Sequence, residues 1–258
     1  MPPVLPDDKE TTLILAGDLW IGTDWIEKYS YSWIGHVAPR FKQVLVILGN
    51  HDYWPQGNLT ILNGAKKCNT LLEQMGIFNV KVLDMDTYAD GEYLFVGATL
   101  WTDMNKNDPL AMHGMPTFMS YDGKIAYDTG LNGAWSRFTS EKWVETHQKH
   151  RDYIKHVVEQ NKDKKIIVLT HHVPLEAVIH PKYVGHMSNA YYASDLSNLI
   201  LDNDHIKLWV YGHTHSQGDI MFPTYADADG CRLINNAVGY QGEHMEQLGL
   251  VKHEVIDV

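Results

Sequence analysis

Four apolar runs in this chain each stop at a short polar motif, and that repetition limits the fold more than any other feature. Residues 12–16 lead into Gly17-Asp18 and residues 43–48 into Gly49-Asn50-His51-Asp52. Residues 165–169 lead into Thr170-His171-His172, and residues 206–211 into Gly212-His213-Thr214-His215. Unbroken apolar runs of this length suit strands covered on both faces. In open α/β sheets, ligands bind beyond the carboxyl ends of strands, where loops converge. The pattern therefore predicts a single site assembled from four strand ends.

The intervening segments fit the same plan. Residues 23–38 can form a crossover helix, and residues 63–76 another, stopped by Gly76. Residues 140–160 read as a long amphipathic helix with Trp143, His147, Tyr153, Ile154, Val157 and Val158 on its inner face. A short helix is expected over 193–202. Asp90-Gly91 between 80–83 and 92–99, and Asp229-Gly230 between 220–222 and 232–235, are hairpin signals. Residues 250–258 read as a closing strand. Residues 103–138, rich in Gly, Met and Asn, read as an irregular excursion with some helix. Alternating strands and helices joined by hairpins predict an α/β chain with two mixed sheets and helices outside, in one domain.

Composition narrows the class. With 258 residues and 44% hydrophobic content, the chain can bury one large core. No apolar run approaches the length that spans a bilayer, so no membrane role is expected. The N-terminus lacks the basic and apolar regions of a secretory signal. Cys68 and Cys231 make no disulfide framework and fit a reducing cytoplasm. The formal charge of −11 argues against a nucleic-acid partner but not against a phosphate ester, where metal ions supply the positive charge.

The motif residues are Asp18, Asn50, His51, Asp52, His171, His172, His213 and His215. Carboxylate, amide oxygen and imidazole form the ligand set of a borderline divalent metal, and no cysteine lies among them. Each motif alone also reads as an ordinary turn or a buried polar residue. Alternation along an extended chain would put His213 and His215 on one side. Four such motifs at four strand ends point to a shared centre.

The series GD (17–18), GNHD (49–52), HH (171–172) and GHTH (212–215) resembles the calcineurin-like metallophosphoesterase family. The order of features in 171–200, 208–219 and 234–240 resembles its small prokaryotic and phage branch. The resemblance implies a four-layer α/β/β/α sandwich of two mixed β-sheets flanked by helices. It implies two divalent metal ions, manganese first, with nickel, cobalt, zinc or iron as alternatives. Asp18 would bridge the two, Asn50, His171 and His213 would complete the second site, and His215 would serve the first. His51 would assist at the substrate oxygens, Asp52 would orient His51, and His172 would orient a ligand.

One family motif is missing. No aspartate in this sequence is followed two positions later by histidine, so the opening strand and two first-site ligands have no counterpart here. Three readings follow: a shortened product, a variant with one well-held metal, or a degenerate scaffold. An exposed strand edge would favour a homodimer. Asp7 and Asp8 read as solvated loop residues. The expected substrate is a small phosphodiester or phosphomonoester, a nucleotide among them, with a nuclease and a non-catalytic scaffold as rivals. Residues 103–138 and 173–192 are expected to border the site, with Tyr121, Arg137, Lys182 and Tyr192 among the candidate substrate contacts.

Overall fold

The computed structural model describes residues 4–28, 32–128 and 135–240. The closing strand expected over 250–258 lies outside them. Two sheets form the body. The smaller holds β1 (Thr12–Leu15), β2 (Gln43–Val46) and β3 (Val80–Val82) in the order β1-β2-β3, all parallel. The larger holds β4 (Asp86–Asp90), β5 (Tyr93–Ala98), β8 (Lys165–Thr170), β9 (Ile206–Val210), β10 (Gly218–Phe222) and β11 (Cys231–Asn235). Its order is β10-β11-β9-β8-β5-β4, with antiparallel pairs at both ends and parallel strands within. A small ribbon pairs β6 (Ala126–Asp128) with β7 (Ser136–Arg137).

The layering follows from strand alternation. In β2, Val44 and Val46 pack with the helices, while Leu45 and the next residue but one, Ile47, face the other sheet. In β8, Ile167 and Leu169 meet Leu45 and Ile47, while Ile166 and Val168 pack outward against α6 (Ser140–Gln160) and α7 (Ser197–Leu201). The inner layer, completed by Leu83, Phe95, Leu208 and Ile234, cements the two sheets. The result is the predicted α/β/β/α order, with the mixed character confined to the larger sheet.

Helix α6 runs over the residues its periodicity predicts. Thr139 caps it by accepting from the Lys142 N–H, and Trp143, His147, Ile154, Val157 and Val158 are buried. Helix α3 (Gly64–Gln74) ends ahead of Gly76, whose φ is +71°. No helix among the described residues is long and apolar enough to cross a membrane.

Several expectations change. The crossover segment breaks into two short helices, α1 (Asp24–Glu27) and α2 (Trp33–Val37). Residues 80–83 do not form the first arm of the hairpin. They supply β3 to the smaller sheet, and β4 pairs with β5 across Gly91 instead. Both arrangements satisfy the same apolar runs, so only pairing partners distinguish them. Asp8 is buried rather than solvated, because the Arg40 guanidinium donates to its carboxylate at 2.6 and 2.9 Å. The 103–138 segment contains a single left-handed turn, α4 (Met104–Asn107), then α5 (Pro109–Phe118), then the ribbon.

Candidate metal centre

The four motifs meet in a cleft at the carboxyl ends of β1, β2, β8 and β9. Asp18 follows β1 and Asn50 follows β2, while His171 and His213 come from the other sheet. Around His171 Nε2 lie Asn50 Oδ1 at 3.0 Å, His213 Nδ1 at 3.2 Å and Asp18 Oδ2 at 3.4 Å. Asp18, His171 and His213 form the one group of three or more His, Cys, Asp or Glu side chains placed to hold a cation among the described residues.

The protonation of His171 tests whether a cation fits. Its Nδ1 donates to the Ala16 carbonyl at 2.7 Å, so in the neutral ring Nε2 carries a lone pair. That lone pair faces an amide oxygen and a carboxylate oxygen, an arrangement that repels unless positive charge sits among them. Burial by itself lowers the His171 pKa, but the Asp18 carboxylate reverses this and the net shift is upward. The upward shift favours positive charge at Nε2, the place a metal would take. Asp18 responds in the same way. Burial raises its pKa, yet His171 and His51 outweigh that and bring it down to about 2. The donor set of carboxylate, amide oxygen and two imidazoles fits a borderline divalent cation.

Local backbone geometry makes the convergence possible. Gly17 has φ +97° and approaches His171 so closely that a Cβ there would lie 2.3 Å from Nδ1. Asp18 itself adopts φ +57°, a conformation aspartate tolerates better than most residues. Its Oδ1 accepts the His51 backbone N–H at 2.9 Å, which turns Oδ2 toward the cluster.

Asp52 takes a different role from the one expected. Its carboxylate accepts backbone N–H groups from Gly49 at 2.7 Å, Asp18 at 2.9 Å and Trp20 at 3.0 Å. It therefore ties the first two motif loops together instead of orienting the His51 ring. Burial, with Asp18 nearby, pushes its pKa up to about 7.

His51 lies at the open side of the cleft. Its ring stacks on Trp54 at 3.7 Å, and its Nε2 is 3.9 Å from Asp18 Oδ2 and 3.4 Å from the Tyr240 hydroxyl. Burial lowers its pKa, and the neighbouring histidines His171 and His215 add to that, against the pull of Asp18.

His172 turns away from the cluster. Its Nδ1 donates to the Thr99 carbonyl, and its ring packs between Trp101, Trp143 and the face of His213, 4.3 Å away. Burial, reinforced by His171, keeps it neutral with a pKa well below the ordinary value. Its place fits a residue that fixes the His213 ring.

The alternation argument for His213 and His215 fails. β9 ends at Val210, His213 has φ +64°, and the Thr214 N–H folds back to the Gly212 carbonyl. His213 enters the cluster, whereas His215 sits edge-on to Tyr240, at 4.6 Å between ring centres. Tyr121 stacks on Trp54, and Tyr192 stacks on His213 with ring centres 4.5 Å apart. Arg137 lies exposed in β7, and the Lys182 ammonium lies over Tyr183. The structure adds residues that no motif announced: the Ala16 carbonyl, Trp54, Tyr240 and the buried Asp122, which joins Asn50 and Trp54.

A two-sheet sandwich gathers Asp, Asn and His side chains at its strand ends, a donor set that could hold a divalent cation. The chain belongs to the calcineurin-like phosphoesterase family, whose model matches residues 3–217. It is 24% identical over 242 residues to an uncharacterized protein of Acanthamoeba polyphaga mimivirus, across 90% of this chain and 79% of the relative. The solved phosphopantetheinyl hydrolase of Mycobacterium tuberculosis has the same fold, with TM-score 0.56 at 18% identity, covering 92% of this chain and 82% of that one. A 5'-nucleotidase precursor from Thermus thermophilus gives TM-score 0.40 at 14% identity, over 86% of this chain and 38% of that one. Membership supports metal-dependent phosphoester hydrolysis as the general activity.

Proposed function

We propose that this chain hydrolyses a small phosphodiester or phosphomonoester, a nucleotide among them, with a divalent cation held by Asp18, Asn50, His171 and His213. The observation that carries the reading is the placement of His171 Nε2, the ring nitrogen left over by the Nδ1 bond to Ala16, within 3.4 Å of Asn50 Oδ1, His213 Nδ1 and Asp18 Oδ2. A bound divalent cation supplies charge neutralisation for the phosphate and an acidified water. Manganese is the first choice for this donor set.

The protein's own groups set the rest. Asp18, held by the His51 N–H, keeps its carboxylate ionised toward the cleft. The His51 imidazole, braced by Trp54, presents Nε2 to the open side, where it can hydrogen-bond the phosphate oxygens as they gain charge. His172 and Tyr192 both pack against the His213 ring and restrain it. No covalent intermediate is required.

The test is turnover of a chromogenic phosphodiester and a phosphomonoester with added Mn²⁺, Co²⁺, Ni²⁺ or Zn²⁺, beside His213→Ala. The wild type should turn over one or both with metal, and the variant should lose at least about a hundredfold, the scale of an electrostatic contact at the reacting phosphate. Metal-independent turnover would sink the reading, and absent turnover would sink it and leave the scaffold role.

A further inference from the structure

Asp122 lies in the segment between β5 and β6, far in sequence from every motif, yet it reaches the centre of the site. It is 2% exposed. The Asn50 amide nitrogen donates to both its oxygens, at 3.1 Å to Oδ1 and 3.2 Å to Oδ2. The Trp54 indole N–H donates to Oδ1 at 2.8 Å. Trp54 in turn carries the His51 ring on its face.

An asparagine ligand has a problem that a carboxylate does not. Only its oxygen end can serve a cation, and the two ends are nearly equal in shape. In this site the wrong end has an attraction of its own. With the amide turned over, its NH₂ group would stand where Oδ1 now lies, 3.0 Å from His171 Nε2, which in the neutral ring is an acceptor. That state would be comfortable without metal and unable to bind one. A carboxylate behind Asn50 removes the ambiguity, because it can only accept. It captures the NH₂ group and leaves Oδ1 directed at His171 Nε2, 3.0 Å away.

We propose that Asp122 is a positioning residue that selects the metal-binding orientation of the Asn50 amide and, through Trp54, braces the His51 ring. The role rests on the metal reading of the site given above. It assigns a purpose to the segment over 103–138: one turn of it carries the acceptor on which the second motif depends. The Asp122 carboxylate itself touches neither substrate nor cation in this role.

The test is Mn²⁺ binding by the full chain, followed by the free-ion magnetic resonance signal, which needs no turnover. Asp122→Asn keeps the shape but puts an amide against the Asn50 amide, so neither orientation of Asn50 is enforced. Its Mn²⁺ affinity should fall at least about tenfold, with the thermal midpoint in chelator close to the wild type. The double variant Asn50→Asp, Asp122→Asn exchanges the two groups. A carboxylate at position 50 has an oxygen at either end and can accept from the amide behind it, so affinity should return to within about threefold of wild type. Wild-type affinity in Asp122→Asn would overturn the proposal. So would a double variant as weak as the single one, since the loss would then reflect docking of the segment and not amide orientation. A wild-type chain that binds no Mn²⁺ would overturn the metal reading itself, and this role with it.

Discussion

Gly49 shows how little freedom the residues of the site retain. A methyl group at this position would lie 2.2 Å from Asp18 Oδ1 and 2.6 Å from His171 Cε1, well inside contact distance. The neighbours that would have to move, Asp18 and His171, both belong to the candidate metal-holding group. Gly49→Ala is therefore expected to weaken Mn²⁺ binding by tenfold or more, about 1.4 kcal/mol, while the chelated protein loses about 1–3 kcal/mol of stability from overpacking. Calorimetric titration with Mn²⁺ and urea unfolding in chelator measure the two effects, and unchanged affinity would show that the ligands can yield. The motif residues were legible in the sequence because their chemistry is local: two carboxylates, an amide and five imidazoles lie just beyond the strand ends. The reason for the glycines was not. A glycine before Asp18 or Asn50 reads as a turn, and only the packing of one sheet's loops on the other's shows that Gly49 makes room for ligands. Asp52 is a similar case. Its neighbour His51 suggested an imidazole partner, but the carboxylate answers to three backbone N–H groups from two loops.

At the scale of elements, α6 is the most legible part of the chain, since its apolar period alone gave its extent. What it holds in place was not legible. Leu100 and Trp101 have φ of +74° and +53°, and α6 grips the first of them from both sides. His147 Nδ1 meets the Leu100 carbonyl, and His150 Nδ1 accepts the Leu100 N–H. In the neutral His150 ring, Nε2 then carries the proton, and it faces Asp84 Oδ1 at 3.3 Å. Burial brings the His150 pKa down to about 3 and pushes Asp84 up to about 7, so between those values both are neutral in the folded chain. The two shifts oppose each other in the pH dependence of stability. His150 titrates at 6.5 when unfolded, so the unfolded chain gains its proton first and stability is lost as pH falls below that value. Asp84 titrates at 3.8 when unfolded and about 7 when folded, so its share is lost as pH rises through that window. Between about pH 4 and 6.5 the folded and unfolded pairs each hold about one proton, and their slopes cancel. Asp84→Asn removes one side of the balance. Its unfolding free energy should fall with decreasing pH across this window more steeply than the wild type, by up to about 1.4 kcal/mol per pH unit. Urea unfolding at three pH values decides it, and parallel profiles would refute the neutral pair. The segment with α4, α5 and the ribbon was illegible for a related reason. Asp122, Thr102 and Tyr191 find their partners 41 to 80 positions away, and no local period marks them.

Over the whole molecule, the candidate metal centre is also a joint between the sheets. The smaller sheet brings Asp18 and Asn50, the larger brings His171 and His213, and the His171 bond to Ala16 crosses between them. The inner apolar layer holds the sheets together along their length, but at the carboxyl ends the contact is polar. The residue pattern gave two sheets with helices outside, the family resemblance implied the four-layer plan, and in the structure the buried strands show alternate residues to two apolar layers. How the sheets meet at the ligands was not legible, because that depends on contacts between loops of different sheets. A cation binding only the assembled group stabilises the fold by mass action, about 2.7 kcal/mol when its concentration is a hundred times the dissociation constant. For a chain of this size that corresponds to a rise of roughly 5–10 °C in the thermal midpoint. Mn²⁺ should therefore raise the midpoint and chelator should reverse the rise. His171→Ala, which loses both the ligand and the bond to Ala16, should start lower and show no response to Mn²⁺. Scanning calorimetry of both proteins with and without the ion separates these effects. A midpoint in the wild type that ignores Mn²⁺ would mean that the strand ends are joined without a cation, by the proton on His171 alone.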